Sequence, residues 1–160
     1  MKNKSTINFN ILKKTAQDMG VMYAIKDNKF YIANGFIGVI MPYTNEADEI
    51  IIKQGAAKSQ SIATLLEGAK DKVSIPAYNT NICYGSPDSL SRYFKTEDGN
   101  VVKVKCDLLK MVEKFVCKSI MSKDGISPFV FDDGEIQVIV LPCRPGNKEL
   151  KLLEFIRNNC

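Results

Sequence analysis

The sequence predicts an α+β fold made of repeated helix-plus-hairpin units, with the helices on one face of a largely antiparallel sheet. Apolar residues recur at helical spacing in some segments and alternate with polar residues in others, and one order of elements occurs twice. Hydrophobic residues are 45% and charged residues 25% of the 160 residues, which is typical of a folded domain. We predict one domain over residues 1–144 and a C-terminal helix over residues 145–160.

The first unit, residues 5–42, begins with a weakly alternating segment that predicts a short strand. A helix is predicted over residues 9–19, because apolar residues recur there at helical spacing and Gly20 then favours a helix end. A hairpin that turns at Asp27-Asn28 follows, and Pro42 ends the last strand. The predicted strands of this unit are residues 5–9, 21–26, 29–33 and 36–41.

The middle of the chain, residues 43–99, has a less regular pattern. We predict a strand over residues 49–53, a polar loop over residues 54–61, and a helix over residues 61–69 with Ser61 as its N-cap. Further strands are predicted at residues 72–77, 81–84 and 90–95.

The last unit, residues 100–144, repeats the order of the first. Alternation predicts a strand over residues 100–105, and Asp107 is a natural N-cap for a helix over residues 107–118. A hairpin then turns at Asp132-Asp133-Gly134. The predicted strands of this hairpin are residues 129–131 and 135–141.

Composition argues against most enzyme chemistry. The chain has no histidine, which removes the commonest general base and excludes Ser-His and Cys-His nucleophile pairs. It also lacks the glycine-rich loops that hold nucleotide phosphates. A carboxylate-dependent enzyme remains an alternative, because Asp132, Asp133 and Glu135 lie close together. This segment is, however, first of all typical of a hairpin turn. We therefore expect no catalytic residues, no bound metal and no cofactor.

Cysteine usage predicts a cytoplasmic protein. None of the five cysteines forms the CxxC spacing of metal and redox sites, so we expect free thiols. The N-terminus has no apolar run typical of a signal peptide. Apolar stretches are also far shorter than the roughly 18 residues that span a bilayer, so no membrane partner is expected.

The repeated plan is carried by matching segments of the two units. Ile11-Leu12-Lys13-Lys14 corresponds to Leu108-Leu109-Lys110-Met111, and both units end in a β segment stopped by proline. This plan resembles that of the bacterial DNA polymerase sliding clamp family, whose chains often end in a strand similar to Val140-Leu141-Pro142-Cys143-Arg144. The resemblance covers roughly half of the chain and implies a single-domain or phage-derived relative.

In that family the helices line a channel around duplex DNA, and several domains close a ring. The resemblance therefore implies duplex DNA, replication proteins and further copies of this chain as partners. Lysine charge suits a sequence-independent contact with phosphates, although a solvated helix face has the same pattern. Three of the candidate lysines are spaced i, i+4, i+8 on the predicted helix 107–118. The candidate DNA-binding residues are Lys13, Lys14, Lys110, Lys114 and Lys118.

The resemblance also implies a peptide-binding site. In the clamp family the residues of the final strand help to line an apolar pocket for short motifs of polymerases and repair proteins. The corresponding residues here are Val140, Leu141, Pro142, Cys143 and Arg144. The alternative interpretation of this segment is a core strand that a proline ends.

The function expected from these observations is a non-enzymatic binding module that resembles a sliding clamp and contacts the DNA backbone or replication proteins. Its net charge of +4 permits contact with a polyanion without requiring it. The alternative is a structural or regulatory protein-interaction domain that has the same fold and does not bind DNA.

Overall fold

The computed structural model describes residues 5–18, 20–124 and 127–160, in which helices and ten strands are mixed. The strands are β1 (Met22–Lys26), β2 (Lys29–Ala33), β3 (Ile37–Pro42), β4 (Ala57–Lys58), β5 (Ile75–Tyr84), β6 (Ser91–Thr96), β7 (Val101–Lys105), β8 (Ser119–Ser122), β9 (Phe129–Asp132) and β10 (Gln137–Val140). The helices are α1 (Asn10–Lys14), α2 (Asn45–Gln54), α3 (Ser61–Asp71), α4 (Cys106–Leu109) and α5 (Leu150–Asn159). Single 3-10 turns lie at Pro87–Ser89, Lys110–Val112 and Asn147–Glu149.

The strands form one sheet in the order β4-β1-β2-β3-β10-β9-β8-β5-β6-β7. Neighbouring strands are antiparallel apart from β1 and β4, so the prediction of a largely antiparallel sheet is confirmed. The first and last units meet at the centre of the sheet, where Val138 of β10 lies opposite Val39 of β3.

The sheet curls strongly at β5. The first two residues of this strand, Ile75 and Pro76, pair with β8, whereas residues 77–84 pair with β6. In a flat sheet β6 and β9 would be about 14 Å apart, since adjacent strands are spaced by about 4.8 Å. The rings of Phe94 in β6 and Phe129 in β9 nevertheless have centroids only 4.9 Å apart. The two arms of the sheet therefore enclose a common core.

Side chains alternate between the two faces of the sheet. Phe30 and Ile32 of β2 point to the face that we call the front, and Tyr31 and Ala33 point to the back. β3, β9 and β10 alternate in the same way. The front core also contains buried residues of α1, α2 and α4. On the back of the sheet, α3 packs against β1, β2, β3 and β10, and α5 packs against β6 and β7.

The helices therefore cover both faces. α1 and α4 share the front face, as the sequence predicted. The prediction that all helices lie on one face is wrong, because Ile62, Ala63 and Leu66 of α3 are buried against the back. The apolar stripe of α3 has to be buried, and α1 and α2 already occupy the front.

The predicted helix over residues 107–118 is wrong in its second half. α4 ends at Leu109, one 3-10 turn follows, and the chain then extends into β8. The amide of Lys118 donates to the carbonyl of Asp132, and the carbonyl of Lys114 accepts from the amide of Thr6. These backbone pairings with distant segments replace helical hydrogen bonds, so tertiary context overrides helical periodicity.

The first helix is also shorter than predicted, since α1 has five residues. The amide group of Asn34 donates to the carbonyl oxygen of Leu12 and to the hydroxyl of Thr15, both at 2.8 Å. Thr15 in turn donates to the carbonyl of Ile11. This buried polar cluster satisfies the last carbonyls of α1 and ends the helix there. Met19, the last apolar position of the predicted helix, lies outside the described residues.

The strand predicted at residues 49–53 is wrong, because this segment belongs to α2. Ala47, Ile50 and Ile51 lie at helical spacing and face the front core. Gly55 ends the helix in the left-handed conformation, with a φ of 60°. The polar loop predicted at residues 54–61 contains the short strand β4.

Several local predictions are confirmed. The first hairpin turns at Asp27-Asn28, where both residues have positive φ values of 52° and 60°. The second hairpin is present, but its turn covers residues 133–136 rather than 132–134, because Asp132 still pairs with Gln137 at the end of β9. The helices α3 and α5 lie where amphipathic periodicity predicted them. Of the strand predicted at residues 5–9, one bridge forms, between Thr6 and Lys114. The two strands predicted around residue 80 are one strand with a bulge, β5.

Candidate functional site

An apolar groove lies on the back of the sheet, between α3, the start of β3 and the end of β10. α3 approaches the sheet closely because Gly38 of β3 has no side chain. A Cβ atom at this glycine would lie 2.6 Å from Cδ2 of Leu66 and 3.3 Å from Cβ of Ala33. The glycine thus lets Leu66 pack directly on the strand backbone.

The other side of α3 stays open. Leu65 is 64% exposed, and Leu141, which follows β10, is 43% exposed. Both residues line one cavity of about 280 Å³. Phe36, Ala69 and Pro128 complete the surface that we call the back groove. None of the described residues that line it carries a charged side chain. Exposed apolar side chains that converge on one concavity are typical of an interaction site.

One end of the back groove is basic. A second cavity, of about 480 Å³, continues along α3 and shares Leu65, Ala69 and Pro128 with the groove. Lys72 and Lys123 line this second cavity, and both side chains are exposed. The surface along α3 therefore changes from apolar to positively charged over its length.

A carboxylate anchors α3 on the sheet. Glu67 accepts hydrogen bonds from the Tyr31 hydroxyl at 2.6 Å and from Lys29 at 3.3 Å, and it pairs with Lys70 at 2.8 Å. Burial would raise the pKa of Glu67, but the hydrogen bonds from Lys70, Tyr31 and Lys29 outweigh burial and lower the pKa from 4.5 to about 2. Burial and the bond to Glu67 raise the pKa of the Tyr31 hydroxyl. These contacts fix the wall of the back groove.

The structure separates the predicted peptide-binding residues. Leu141 lines the back groove, and its amide donates to the carbonyl of Phe36 at 2.8 Å. Val140 is buried in the front core, and the amide of Cys143 donates to the carbonyl of Lys103 on β7. Pro142 is half-buried and Arg144 is exposed.

The predicted DNA-binding lysines are all exposed but do not form one stripe. Lys110 pairs with Asp107 at 3.3 Å. The ammonium group of Lys118 lies beside Gly134, in the acidic turn between β9 and β10. Lys114 and Lys118 lie beyond the end of α4 and its 3-10 turn, so the predicted stripe of Lys110, Lys114 and Lys118 along one helix is wrong. Lys13 and Lys14 lie on α1, and Lys114 lies beside Thr6.

The carboxylates with perturbed pKa values have structural partners. In the second hairpin, Asp133 accepts the amides of Glu135 and Ile136 at 2.9 and 2.6 Å, which confirms the turn interpretation of this segment. Glu149 is buried, accepts from the Tyr93 hydroxyl, and pairs with Lys103 at 2.9 Å. Burial would raise the pKa of Glu149, but these hydrogen bonds lower it.

Sequence reasoning missed Leu65, Phe36 and the basic end of the groove. A signal for Leu65 was present, because α3 has adjacent leucines at positions 65 and 66 and a helix can bury only one stripe. Nothing in the sequence indicated that Leu65 and Leu141 would line one cavity, since their placement depends on the packing of α3 on the back of the sheet.

Comparisons with protein-family models, curated proteins and solved structures find no match to this chain. Within residues 5–18, 20–124 and 127–160, no cluster of cysteine and acidic side chains is suited to hold a metal ion. Among these same residues no helix is long and apolar enough to cross a membrane.

Proposed function

We propose that this chain is a non-enzymatic binding module of the sliding-clamp type, and that its back groove receives a short segment of a replication protein. The observation that carries the proposal is the exposure of Leu65 and Leu141 across one apolar cavity. Two large apolar side chains exposed in one cavity can form the desolvated centre that protein interfaces require.

The energy available is sufficient for a weak, specific complex. Burying a whole leucine side chain contributes about 1.5–3 kcal/mol. Leu65 and Leu141 are 64% and 43% exposed, so covering both would contribute on the order of 2–3 kcal/mol. Further contacts with Phe36 and Pro128 have to offset the cost of ordering the peptide. We therefore expect dissociation constants well above the micromolar range, since a micromolar complex needs about 8 kcal/mol.

The partner segment has a defined chemistry. Two neighbouring apolar side chains fit between Leu65 and Leu141, and acidic residues after them meet Lys72 and Lys123. Complementary charge at the rim fixes the direction in which the segment lies more than it adds affinity.

The experiment uses a fluorescein-labelled peptide with Leu-Phe at its centre and two aspartates after it, measured by fluorescence anisotropy. Leu65→Lys and Leu141→Lys should each weaken binding at least tenfold. Ile52→Lys is the matched control, because Ile52 is 79% exposed on α2, outside the groove. Replacing the aspartates by lysines should also weaken binding. Equal affinity for wild type, Leu65→Lys and Leu141→Lys would refute the groove as the site.

A second candidate function is contact with duplex DNA. It is favoured by Lys13, Lys14 and Lys114, which are exposed and form no ion pair in the described part of the chain. Changing these three lysines to serine should reduce affinity for a random-sequence duplex and flatten its salt dependence by about one unit of slope per lost contact. Absence of wild-type binding at low salt would end this candidate and leave the protein-interaction function.

A further inference from the structure

A separate cavity lies on the front face, where the two arms of the curled sheet meet. It has a volume of about 510 Å³, within the range of roughly 300–1,000 Å³ that is typical of small-molecule sites. β6 forms its floor, because Arg92 and Phe94 are two residues apart and point to the same face. The segment from Cys106 to Cys117 forms the opposite wall. We call this space the Arg92 cavity.

One part of the lining of the Arg92 cavity is aromatic. The rings of Phe94 and Phe131 meet edge to face with centroids 5.8 Å apart, and Phe115 and Ile120 extend this surface. Such a wall offers a flat apolar contact to a planar ligand. The lining also includes the polar side chains of Asn8, Asn79, Arg92, Lys110 and Glu113.

The bulge in β5 shapes one side of the cavity. The register with β6 shifts between Asn79 and Ile82, and Asn81 adopts a φ of 62°. The side chain of Asn79 accepts the amide of Asn81 at 2.8 Å and also lines the cavity. Bulges often re-aim side chains beside functional sites.

Arg92 is the unusual member of the cavity. Its side chain is half-buried, yet it forms no hydrogen bond or ion pair within the described residues. Its neighbours across the strands are Cys83 and Val104, which carry no charge. Lys110 and Glu113 also line the cavity. Lys110 pairs with Asp107, and Glu113 forms no ion pair with Arg92 within the described residues. A guanidinium group with five donors and no partner is suited to bind a carboxylate in bidentate geometry.

We propose that the Arg92 cavity binds a small aromatic carboxylate, with its ring against Phe94 and Phe131 and its carboxylate on Arg92. This site goes beyond the proposed function, because it lies on the opposite face from the back groove and takes a small molecule. The aromatic wall selects a flat ring, and the single unpaired guanidinium selects one negative charge. Inorganic phosphate would satisfy Arg92 but leave the aromatic wall exposed.

The test compares 2-naphthoate with 2-naphthalenemethanol, which has the same ring and no charge, by titration calorimetry. Wild type should bind 2-naphthoate at least tenfold more tightly than the alcohol, and inorganic phosphate should not bind at millimolar concentration. Arg92→Gln should weaken 2-naphthoate binding roughly ten- to a hundredfold, since a hydrogen bond to a charged group is lost. Arg157→Gln, at an exposed arginine on α5, should leave binding unchanged.

Cys106 gives an independent readout, because it lines the same cavity. Burial raises the pKa of its thiol, so alkylation by iodoacetamide should already be slow. Bound 2-naphthoate should slow alkylation of Cys106 further in wild type, measured by peptide mass mapping, and leave the rate at exposed Cys160 unchanged. Equal affinities of wild type for the two naphthalene compounds would overturn the proposal, even where Arg92→Gln does not fold. Undiminished 2-naphthoate binding by folded Arg92→Gln would overturn it as well.

Discussion

Gly38→Ala tests the packing that builds the back groove. The added Cβ would lie 2.6 Å from Cδ2 and 3.2 Å from Cδ1 of Leu66, closer than carbon atoms pack. Overpacking of this kind costs about 1–3 kcal/mol. The alanine also restricts the unfolded chain, which stabilises by about 0.4–1 kcal/mol. The net effect should be a loss of about 0.5–2 kcal/mol in the free energy of unfolding, measured in urea.

A double-mutant cycle with Leu66→Ala isolates the cause. Leu66 is 8% exposed, so Leu66→Ala alone should cost about 2–5 kcal/mol through the cavity that it leaves. The methyl group of Ala at position 38 would partly fill that cavity, so the double variant should be more stable than the sum of the single effects predicts. If the two single changes in the free energy of unfolding add to that of the double variant within about 0.3 kcal/mol, the close packing of Leu66 on Gly38 is not the cause of the destabilisation.

Three further predictions concern stability and thiols. The pKa of Glu67 is about 2 in the folded state and 4.5 in the unfolded state, so its stabilisation is complete above pH 4.5 and is lost as the pH falls toward 2. Glu67→Gln should therefore reduce the loss of stability between pH 4.5 and pH 2. An unchanged dependence of the free energy of unfolding on pH would contradict this prediction. Tyr93→Phe should lower the free energy of unfolding in urea by about 1.5–3 kcal/mol, because the buried carboxylate of Glu149 loses a donor, whereas a loss below about 0.5 kcal/mol would count against this contact. All five cysteines should react as free thiols in denaturant without reductant, and fewer than five would indicate a disulfide.

Local chemistry made part of the fold predictable. The Asp27-Asn28 turn was predictable because these residues tolerate the positive φ values that a tight hairpin needs. α3 was predictable because Ile62 and Leu66 form one apolar stripe after a polar segment. Each of these signals depends on residues within one turn or one helix, so no distant contact was needed to interpret them.

Elements that depend on distant partners were not predictable. Residues 114–118 have helical periodicity, but their backbone pairs with Thr6 and Asp132. Ile50 to Ile52 has the β-branched composition of a strand, yet Gly55 and the front core favour a helix. The candidate sites follow the same rule. Leu141 was identified from the sequence, whereas the placement of Leu65 beside the same cavity depends on the packing of α3 on the sheet. The position of Arg92 depends on how the sheet curls.

The two proposed sites lie on opposite faces of one sheet and share no lining residue. Adjacent residues of β9 connect them, since Phe131 lines the Arg92 cavity and Val130 packs in the back core with Ile139 of the groove. Any coupling between the two ligands must be reciprocal, and it requires an element with two arrangements. β9 is paired on both edges and has buried residues on both faces, so we expect it to keep a single arrangement. A partner segment and an aromatic carboxylate should therefore bind with affinities that do not depend on each other.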